Sequence, residues 1–547
     1  MKIGIAQVNP TVGDLAGNRR LVEEAAAKAA EEGADLVVLP EMVLTGYPPM
    51  DLLERDGFVR DQMRELEALR PASKRVAIVL GAVLPWPEGR PKKLANAAVL
   101  LAGGEQVAAH PKSLLPTYDV FDENRYFAPA ERREPVTLPG SGAALGLTVC
   151  EDTWVDTKSY DVDPTEELVA AGASLILNPS CSPWHVDRPR QRRLMLSELA
   201  RRHRVPIVFV NQVGGNDELV FDGASFVTDA NGRIRASLPL FEPGFAVVDL
   251  AAVGPGLEPD AVLEPEPVAQ LQAGLVLGIR DYFGKQNLPP GAVVGLSGGI
   301  DSSVTAHLAV EALGPDQVVG VAMPGPFSSE HSIADALALG RNLGIEVRRV
   351  DIAPMYSAYR DAFAALFGER EDYGLTQQNI QSRIRGAIVM AVSNEEHRLV
   401  LATGNKSELS VGYCTLYGDT VGGLGVLGDV YKRDVYALAR YANRDRERIP
   451  ANTIDKPPSA ELAPDQLDSD DLPEYDVLDA VLQQAIEEGR SAASIEPPPG
   501  CDPETAAAVV ARLDRNEFKR RQTPLVLRTS PKAFGTGRRL PIVHRYF

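Results

Sequence analysis

Three reactive side chains stand where short apolar runs end in the first 150 residues. Glu41 closes VVLPE, Lys112 follows AAHP, and Cys150 closes LGLTVC. A carboxylate to take a proton, an ammonium to steady an oxyanion and a thiol to attack make a complete set for amide hydrolysis. Residue types alone also allow an inert buried Cys, a capping Glu and a surface Lys. A Cys–His pair is a rival arrangement, either Cys181 with His185 in NPSCSPWH or Cys150 with His203. Cys414 and Cys501 have no evident partner and read as bystanders.

A second chemistry is written in AVVGLSGGIDSS, residues 292–303. An apolar run leads into a turn with two glycines and several serines, and a helical pattern follows. Glycines let the backbone approach a polyanion, and a helix N-terminus presents free N–H groups to it. No Gly-Lys-Ser/Thr follows, so this is not a Walker A loop. Without that lysine, a metal on Asp301 is the natural counter-charge for phosphates. A plain strand–turn–helix corner is the bland alternative. Further on, LVLATGNKSELS, residues 399–410, places Thr403, Asn405, Lys406, Ser407 and Glu408 at a strand's carboxyl end, where α/β folds bind ligands. Glu408 could complete a magnesium site with Asp301, or simply be an acid in a helix's first turn.

Stretches 2–9, 34–41, 76–84, 145–152, 173–180 and 205–213 read as buried strands, and 18–32 and 188–203 as helices. Residues 99–109 and 224–238 read as hairpins, the second turning at Asn231-Gly232. These elements predict an α/β sandwich with some antiparallel pairing. In the second half, strands at 292–297, 317–323 and 346–352 alternate with helices from Ser302 and Ser329, which predicts a doubly wound parallel sheet. Between the halves, 251–267 holds four prolines and two glycines and is the expected linker, giving domains 1–250 and 268–547.

Composition narrows the class. With 44% hydrophobic and 24% charged residues the chain is an ordinary globular one, not a disordered or fibrous one. No apolar stretch reaches membrane-spanning length. MKIGIAQVNP carries no signal-peptide pattern, so a cytoplasmic protein is expected. Four cysteines without paired spacing are expected as free thiols. A net charge of −19 argues against wrapping nucleic acid. The run 461–488 holds ten acids and no Lys or Arg, whereas 515–547 holds nine Lys and Arg against one acid. Both fit solvated surface, and the second also fits a phosphate clamp.

The loop at 297–303 resembles that of the N-type ATP pyrophosphatases, SGGxDS. These enzymes split ATP between its α and β phosphates to adenylate an acceptor that an amine then attacks. QQNIQSRIRG, LATGNKSELSVGYCTLYGD, DVYKRDVYALA, IDKPPSAEL and LPEYDVLD together resemble the NAD synthetases, the bacterial glutamine-dependent kind in particular. GMP synthetases would share the loop but not these stretches. The resemblance implies ATP contacts at Gly295, Leu296, Ser297, Gly298, Gly299, Ile300, Asp301, Ser302, Thr403, Lys432 and Ser459. It implies deamido-NAD+ contacts at Asn379, Glu408, Tyr413, Cys414, Thr415, Leu416 and Lys532, with Mg2+ on Asp301 and Glu408. EMVLTGYPPMDLL, PKSLLPTYDVFDENRYF and VCEDTW resemble the glutaminase domain of the nitrilase superfamily. That match makes Glu41 the base, Lys112 the support of the tetrahedral intermediate and Cys150 the thioester-forming nucleophile, with Tyr118, Glu151, Ser182 and Arg188 holding glutamine.

The implied fold is an N-terminal αββα carbon–nitrogen hydrolase sandwich joined to a C-terminal doubly wound parallel-sheet (Rossmann-like, HUP) ATP pyrophosphatase domain. The implied substrates are glutamine, deamido-NAD+ and ATP, and an ammonia channel and a homo-oligomer come with the family. Two competitors stay open: an amidotransferase with another acceptor, and an ammonia-dependent synthetase whose first domain is a non-catalytic assembly module.

Overall fold

Residues 1–86, 92–155, 160–252, 256–289 and 291–545 are described in the computed structural model. The chain divides into two compact units, Met1–Pro265 and Glu266–Phe547. Residues 253–255 of the expected linker fall outside the described part. The rest of that segment includes Leu257, bridged to Ile234, and Glu264, 2.6 Å from Arg193.

In the first unit most strands are buried on both faces, because each sheet meets the other sheet on one side and helices on the other. One six-stranded sheet runs in the order Gly244–Asp249, Lys2–Gln7, Leu36–Val38, Ala77–Pro85, Leu94–Ala102, Glu105–Pro111. The other runs Ile234–Ser237, Phe226–Thr228, Ile207–Asn211, Leu175–Ser180, Ala144–Leu147, Val136–Thr137. Ile3, Leu36, Val79 and Leu100 face Leu145, Leu177, Val208 and Val227 across the gap between the sheets. On the outer faces, helices Leu15–Glu31 and Phe58–Ala68 bring Val22, Ala26 and Leu66 onto Val37 and Ile78. Helices Pro164–Ala170 and Arg188–His203 bring Leu168, Leu196 and Leu199 onto Ile176, Ile207 and Phe209. This is the expected helix–sheet–sheet–helix sandwich.

Three local expectations change. The strand expected over 145–152 stops at Leu147, and Cys150–Thr153 is a 3-10 turn. The cause is Asp152, whose carboxylate accepts the Val149 N–H at 2.9 Å and takes that donor out of sheet pairing. Glu41 lies in a turn three residues beyond the strand Leu36–Val38 rather than at its end. The turn between Phe226–Thr228 and Ile234–Ser237 is longer than a two-residue hairpin, with Gly232 at φ 74°.

The second unit holds one parallel sheet in the order Glu346–Arg349, Val318–Ala322, Ala292–Leu296, Leu399–Ala402, Leu424–Gly425, Leu525–Val526. The order reverses direction between Ala292–Leu296 and Leu399–Ala402, and such a switch point opens a crevice at the carboxyl ends of those two strands. Helices Ala353–Phe367 and Leu375–Glu396 cover one face through Tyr356, Ile384 and Val389. Helices Tyr475–Ile486 and Pro503–Arg515 build a separate core of Leu478, Val481, Val509 and Leu513 around Leu409. The helix after the glycine turn begins at Ile300, two residues earlier than expected, because Ser302 and Ser303 both donate their hydroxyls to the Gly299 carbonyl. No helix among the described residues is long and apolar enough to cross a membrane.

Candidate active sites

Lys112 emerges directly from the edge strand Glu105–Pro111 and is 1% exposed. Its Nζ lies 2.9 Å from Glu41 Oε1 and 2.7 Å from Glu123 Oε1. Asn96, on the neighbouring strand Leu94–Ala102, donates to Glu41 Oε1 at 2.6 Å, and the Cys181 N–H donates to Glu41 Oε2 at 2.9 Å. Tyr47 donates its hydroxyl to Glu123 Oε1 at 3.0 Å. The carboxylate of Glu41 is thus aimed from three directions, at the sandwich's strand ends.

Cys150 opens the 3-10 turn with a left-handed backbone, φ 42°, and is 5% exposed. Burial and the Glu41 charge push its thiol well above the usual range, against the pull of Lys112. Burial alone would lower Lys112, but Glu123 and Glu41 hold it well above the ordinary lysine value. Burial, with help from Glu41, raises the Glu123 carboxyl to about 7 against Lys112. These surroundings favour the S–H form of Cys150 and the charged form of Lys112, with the Glu41 carboxylate as a neighbouring oxygen acceptor.

Around it, Tyr118 and Tyr160 both donate to Glu151 Oε1 at 2.8 Å. The Arg188 guanidinium lies 3.9 Å over the Trp154 ring. Ser182 is gripped through its main chain: its N–H donates to Asn211 Oδ1 at 2.8 Å, and its carbonyl accepts from Arg192 and Asn211, each at 3.2 Å. Arg192 is itself ion-paired to Asp222, both fully buried. The pairing of Cys181 with His185 is not formed: the Cys181 thiol donates to the Glu41 carbonyl at 3.1 Å, and His185 Nδ1 meets the Val186 carbonyl at 2.7 Å. Sequence reasoning missed Glu123, Asn96 and Cys181 as partners of the set. Glu123 lies inside the quoted FDENRYF, but only contact with Lys112 reveals its use.

At the switch point of the second unit, Gly295 and Leu296 end their strand, and Ser297, Gly298 and Gly299 turn into the helix Ile300–Leu313. Gly298 has φ +78°, and a Cβ there would sit 2.1 Å from the Ser332 carbonyl. Asp301 accepts from Asn405 Nδ2 at 2.7 Å and from Lys432 Nζ at 2.6 Å. Lys432 also donates to Glu408 Oε1 at 3.0 Å and lies 5.0 Å from the centre of the Tyr475 ring. Asn405 caps the helix Lys406–Val411 by accepting the Glu408 N–H at 3.0 Å. Burial and the Asp301 charge raise the Glu408 carboxyl to about 8 against Lys432. Lys432, expected on the ATP phosphates, spans the two carboxylates. Asp301 and Glu408 nevertheless fit Mg2+, which takes one or two protein carboxylates and fills its remaining positions with water and phosphate oxygens.

The expected acceptor residues gather partly. Asn379 Oδ1 accepts from Thr415 Oγ1 at 2.8 Å, and Arg383 Nε donates to the Leu416 carbonyl at 3.1 Å. The Tyr413 N–H donates to the Glu408 carbonyl at 2.9 Å, joining this loop to the switch point. The Cys414 carbonyl accepts from Lys519 at 2.8 Å. Thr403 follows the strand Leu399–Ala402 directly. Ser459 donates to the Gln466 carbonyl within its own segment. Lys532 offers its carbonyl to Lys406 Nζ at 2.9 Å. The basic tail is only partly surface: Arg520 and Arg528 are buried, Arg520 donating to the Glu517 carboxylate and to the Leu409, Ser410 and Leu513 carbonyls, and Arg528 to the Ser530 and Pro531 carbonyls.

Comparison with known proteins matches both units. Residues 2–254 match the carbon–nitrogen hydrolase family, and residues 268–523 match the NAD synthase family. A glutamine-dependent NAD(+) synthetase of Synechocystis is 43% identical over 100% of this chain and 99% of its own length. One from Thermotoga maritima is 39% identical with the same coverage. The solved glutamine-dependent NAD+ synthetase of Acinetobacter baumannii, in complex with ADP, superposes with a TM-score of 0.76 at 36% identity, covering 100% of this chain and 99% of that one. With both family models matched and full-length relatives of one kind, the chain belongs to the glutamine-dependent NAD(+) synthetases, a ligase family.

Proposed function

We propose that the protein makes NAD+ from deamido-NAD+, with ATP as the activator and glutamine as the nitrogen source. Residues 1–250 release the ammonia, residues 268–547 use it, and 251–267 join the two. The observation that carries this reading is Lys112, buried between Glu41 and Glu123 beside Cys150 in a chain that also has the SGGxDS turn.

In the first step Cys150 Sγ bonds to the glutamine amide carbon while its proton passes to Glu41. Lys112 stabilises the oxyanion, and Glu41 returns the proton to the departing ammonia. Water, deprotonated by Glu41, then splits the thioester and frees glutamate. Arg188 is suited to the glutamine α-carboxylate and Tyr118, Glu151 and Ser182 to its ammonium end. In the second unit the nicotinate carboxylate attacks the α-phosphorus of ATP and pyrophosphate leaves. Ammonia then displaces AMP, forming the amide. Gly298, Gly299 and the N–H groups opening Ile300–Leu313 cradle phosphate oxygens. Asp301 and Glu408 would hold Mg2+, which supplies positive charge to the departing pyrophosphate.

Ammonia at neutral pH is mostly protonated and unreactive, so guarded transfer suits this chemistry. The four free thiols fit a cytoplasmic enzyme. Exposed Tyr359, Leu366 and Phe367 on helix Ala353–Phe367, beside exposed Leu375, support a homo-oligomer that covers them. The deciding assay follows NAD+ and glutamate from deamido-NAD+, ATP and either glutamine or ammonium. Glutamine without NAD+ formation would reject the reading, as would synthesis from ammonium with no glutamate ever released from glutamine.

A further inference from the structure

We propose that Asp152 is a positioning residue for amide hydrolysis, one carboxylate that sets the spacing between the Lys112 segment and the Cys150 turn. The proposal rests on the glutaminase reading of the first unit.

Asp152 is 2% exposed, and its carboxylate bonds backbone N–H groups next to the reacting residues. Its Oδ1 accepts the N–H groups of Ser113 and Leu114, each at 2.8 Å. Its Oδ2 accepts the N–H of Val149 at 2.9 Å. Ser113 is the residue after Lys112, and Val149 is the residue before Cys150. One rigid side chain therefore spans the two backbone segments that carry the cation and the nucleophile. No Lys or Arg is ion-paired to Asp152 among the described residues, so backbone dipoles hold its charge, the stronger kind of hydrogen bond.

The need for such a tie lies in Cys150. A non-glycine residue at φ 42° persists only where its surroundings over-determine it. Thr153 Oγ1 and Asn178 Nδ2 hold the Cys150 carbonyl, at 3.0 and 3.5 Å, on the far side of the strained residue. Asp152 holds the near side at Val149. Without it the thiol can still exist and the pocket can still bind, but the attack distance to the amide carbon is no longer fixed.

Asp152→Asn keeps the shape but gives one end of the side chain an NH2 that faces backbone N–H groups. Glutamine hydrolysis by this variant should lose roughly ten- to a hundredfold in kcat, the scale expected of a misplacement near 1 Å. The KM for glutamine should stay within about threefold, because Tyr118, Glu151, Ser182 and Arg188 are untouched. NAD+ formation from ammonium, carried by the other unit, should be unchanged and reports that the variant is folded. Asp152→Ala, which removes every acceptor, should lie at or below the Asn variant in kcat. Wild-type kcat in Asp152→Asn overturns the proposal. So does a variant that fails to fold, or one in which kcat and KM deteriorate together with loss of the near-ultraviolet dichroism, since those describe a structural part only. A wild-type protein that never hydrolyses glutamine rejects the underlying reading instead, which keeps the two failures apart.

Discussion

Lys432 Nζ stands 2.6 Å from Asp301 Oδ2, although 131 residues separate them in the chain. The ammonium is 2% exposed and also bonds Glu408, so one cation ties the carboxylate of the glycine turn to that of helix Lys406–Val411. Any further cation brought to Asp301 and Glu408 therefore has to compete with the Lys432 ammonium.

Lys432→Met should abolish NAD+ synthesis from either nitrogen donor and destabilise the second unit by about 3–5 kcal/mol, the usual result of orphaning a buried charge. Glutamine hydrolysis should persist. Thermal melting alongside both assays checks this, and an unshifted transition would mean that the pair contributes nothing to stability.

Asp301→Asn should also cripple synthesis with glutamine or ammonium, because a ligand loses its charge where pyrophosphate charge develops. Part of the glutamine hydrolysis should survive. Normal ammonium-dependent turnover would reduce the glycine turn to a strand–helix corner.

Cys150→Ala should remove glutamine-dependent synthesis and leave the ammonium-dependent reaction largely intact, since only the thioester step needs the thiol. If glutamine still served, Cys181 would be the next nucleophile to test.

Glu123 supplies a pH signature. Its folded-state carboxyl titrates at about 7, raised from 4.5 chiefly by burial. Its contribution to stability is therefore fully present below pH 4.5 and is lost as pH rises through 7. Glu123→Gln, neutral at every pH, should flatten that part of the decline in melting temperature between pH 5 and 8. It should also slow glutamine hydrolysis, because Lys112 keeps one carboxylate partner instead of two. Parallel pH slopes for the two proteins would remove Glu123 from the balance.

Lys532→Ala should raise the KM for deamido-NAD+ by roughly ten- to a hundredfold, the equivalent of losing one desolvated charge-assisted contact. The KM for glutamine should barely move. Initial rates with each substrate varied in turn decide it, and an unchanged deamido-NAD+ KM would reject the assignment of Lys532 to the acceptor.

Much of this was legible in the residue pattern, for identifiable reasons. Runs such as Lys2–Gln7 and Leu175–Ser180 are buried because one face of each strand meets the other sheet and the opposite face meets helices, and a short apolar run reads as such a strand. The regular exchange of strand and helix after residue 292 likewise implied the parallel sheet and its crevice. Turns carry no period. Glu41 and Cys150 looked like strand ends because apolar residues precede them, and the Val149 N–H bond that stops the strand is made by a polar side chain. Glu123 was invisible for a different reason: a carboxylate is useful to Lys112 only through a contact that spans a loop. Arg520 and Arg528 read as surface charge, since no pattern distinguishes a guanidinium in water from one wrapped in carbonyls.

The burial that favours the S–H form of Cys150 bears on its oxidation. Peroxide attacks thiolates, and this sulfur is buried and held in the S–H form by burial and by Glu41. Cys181, fully buried and bonded to the Glu41 carbonyl, is shielded in the same way. The same desolvation that favours the S–H form therefore slows oxidation of both sulfurs.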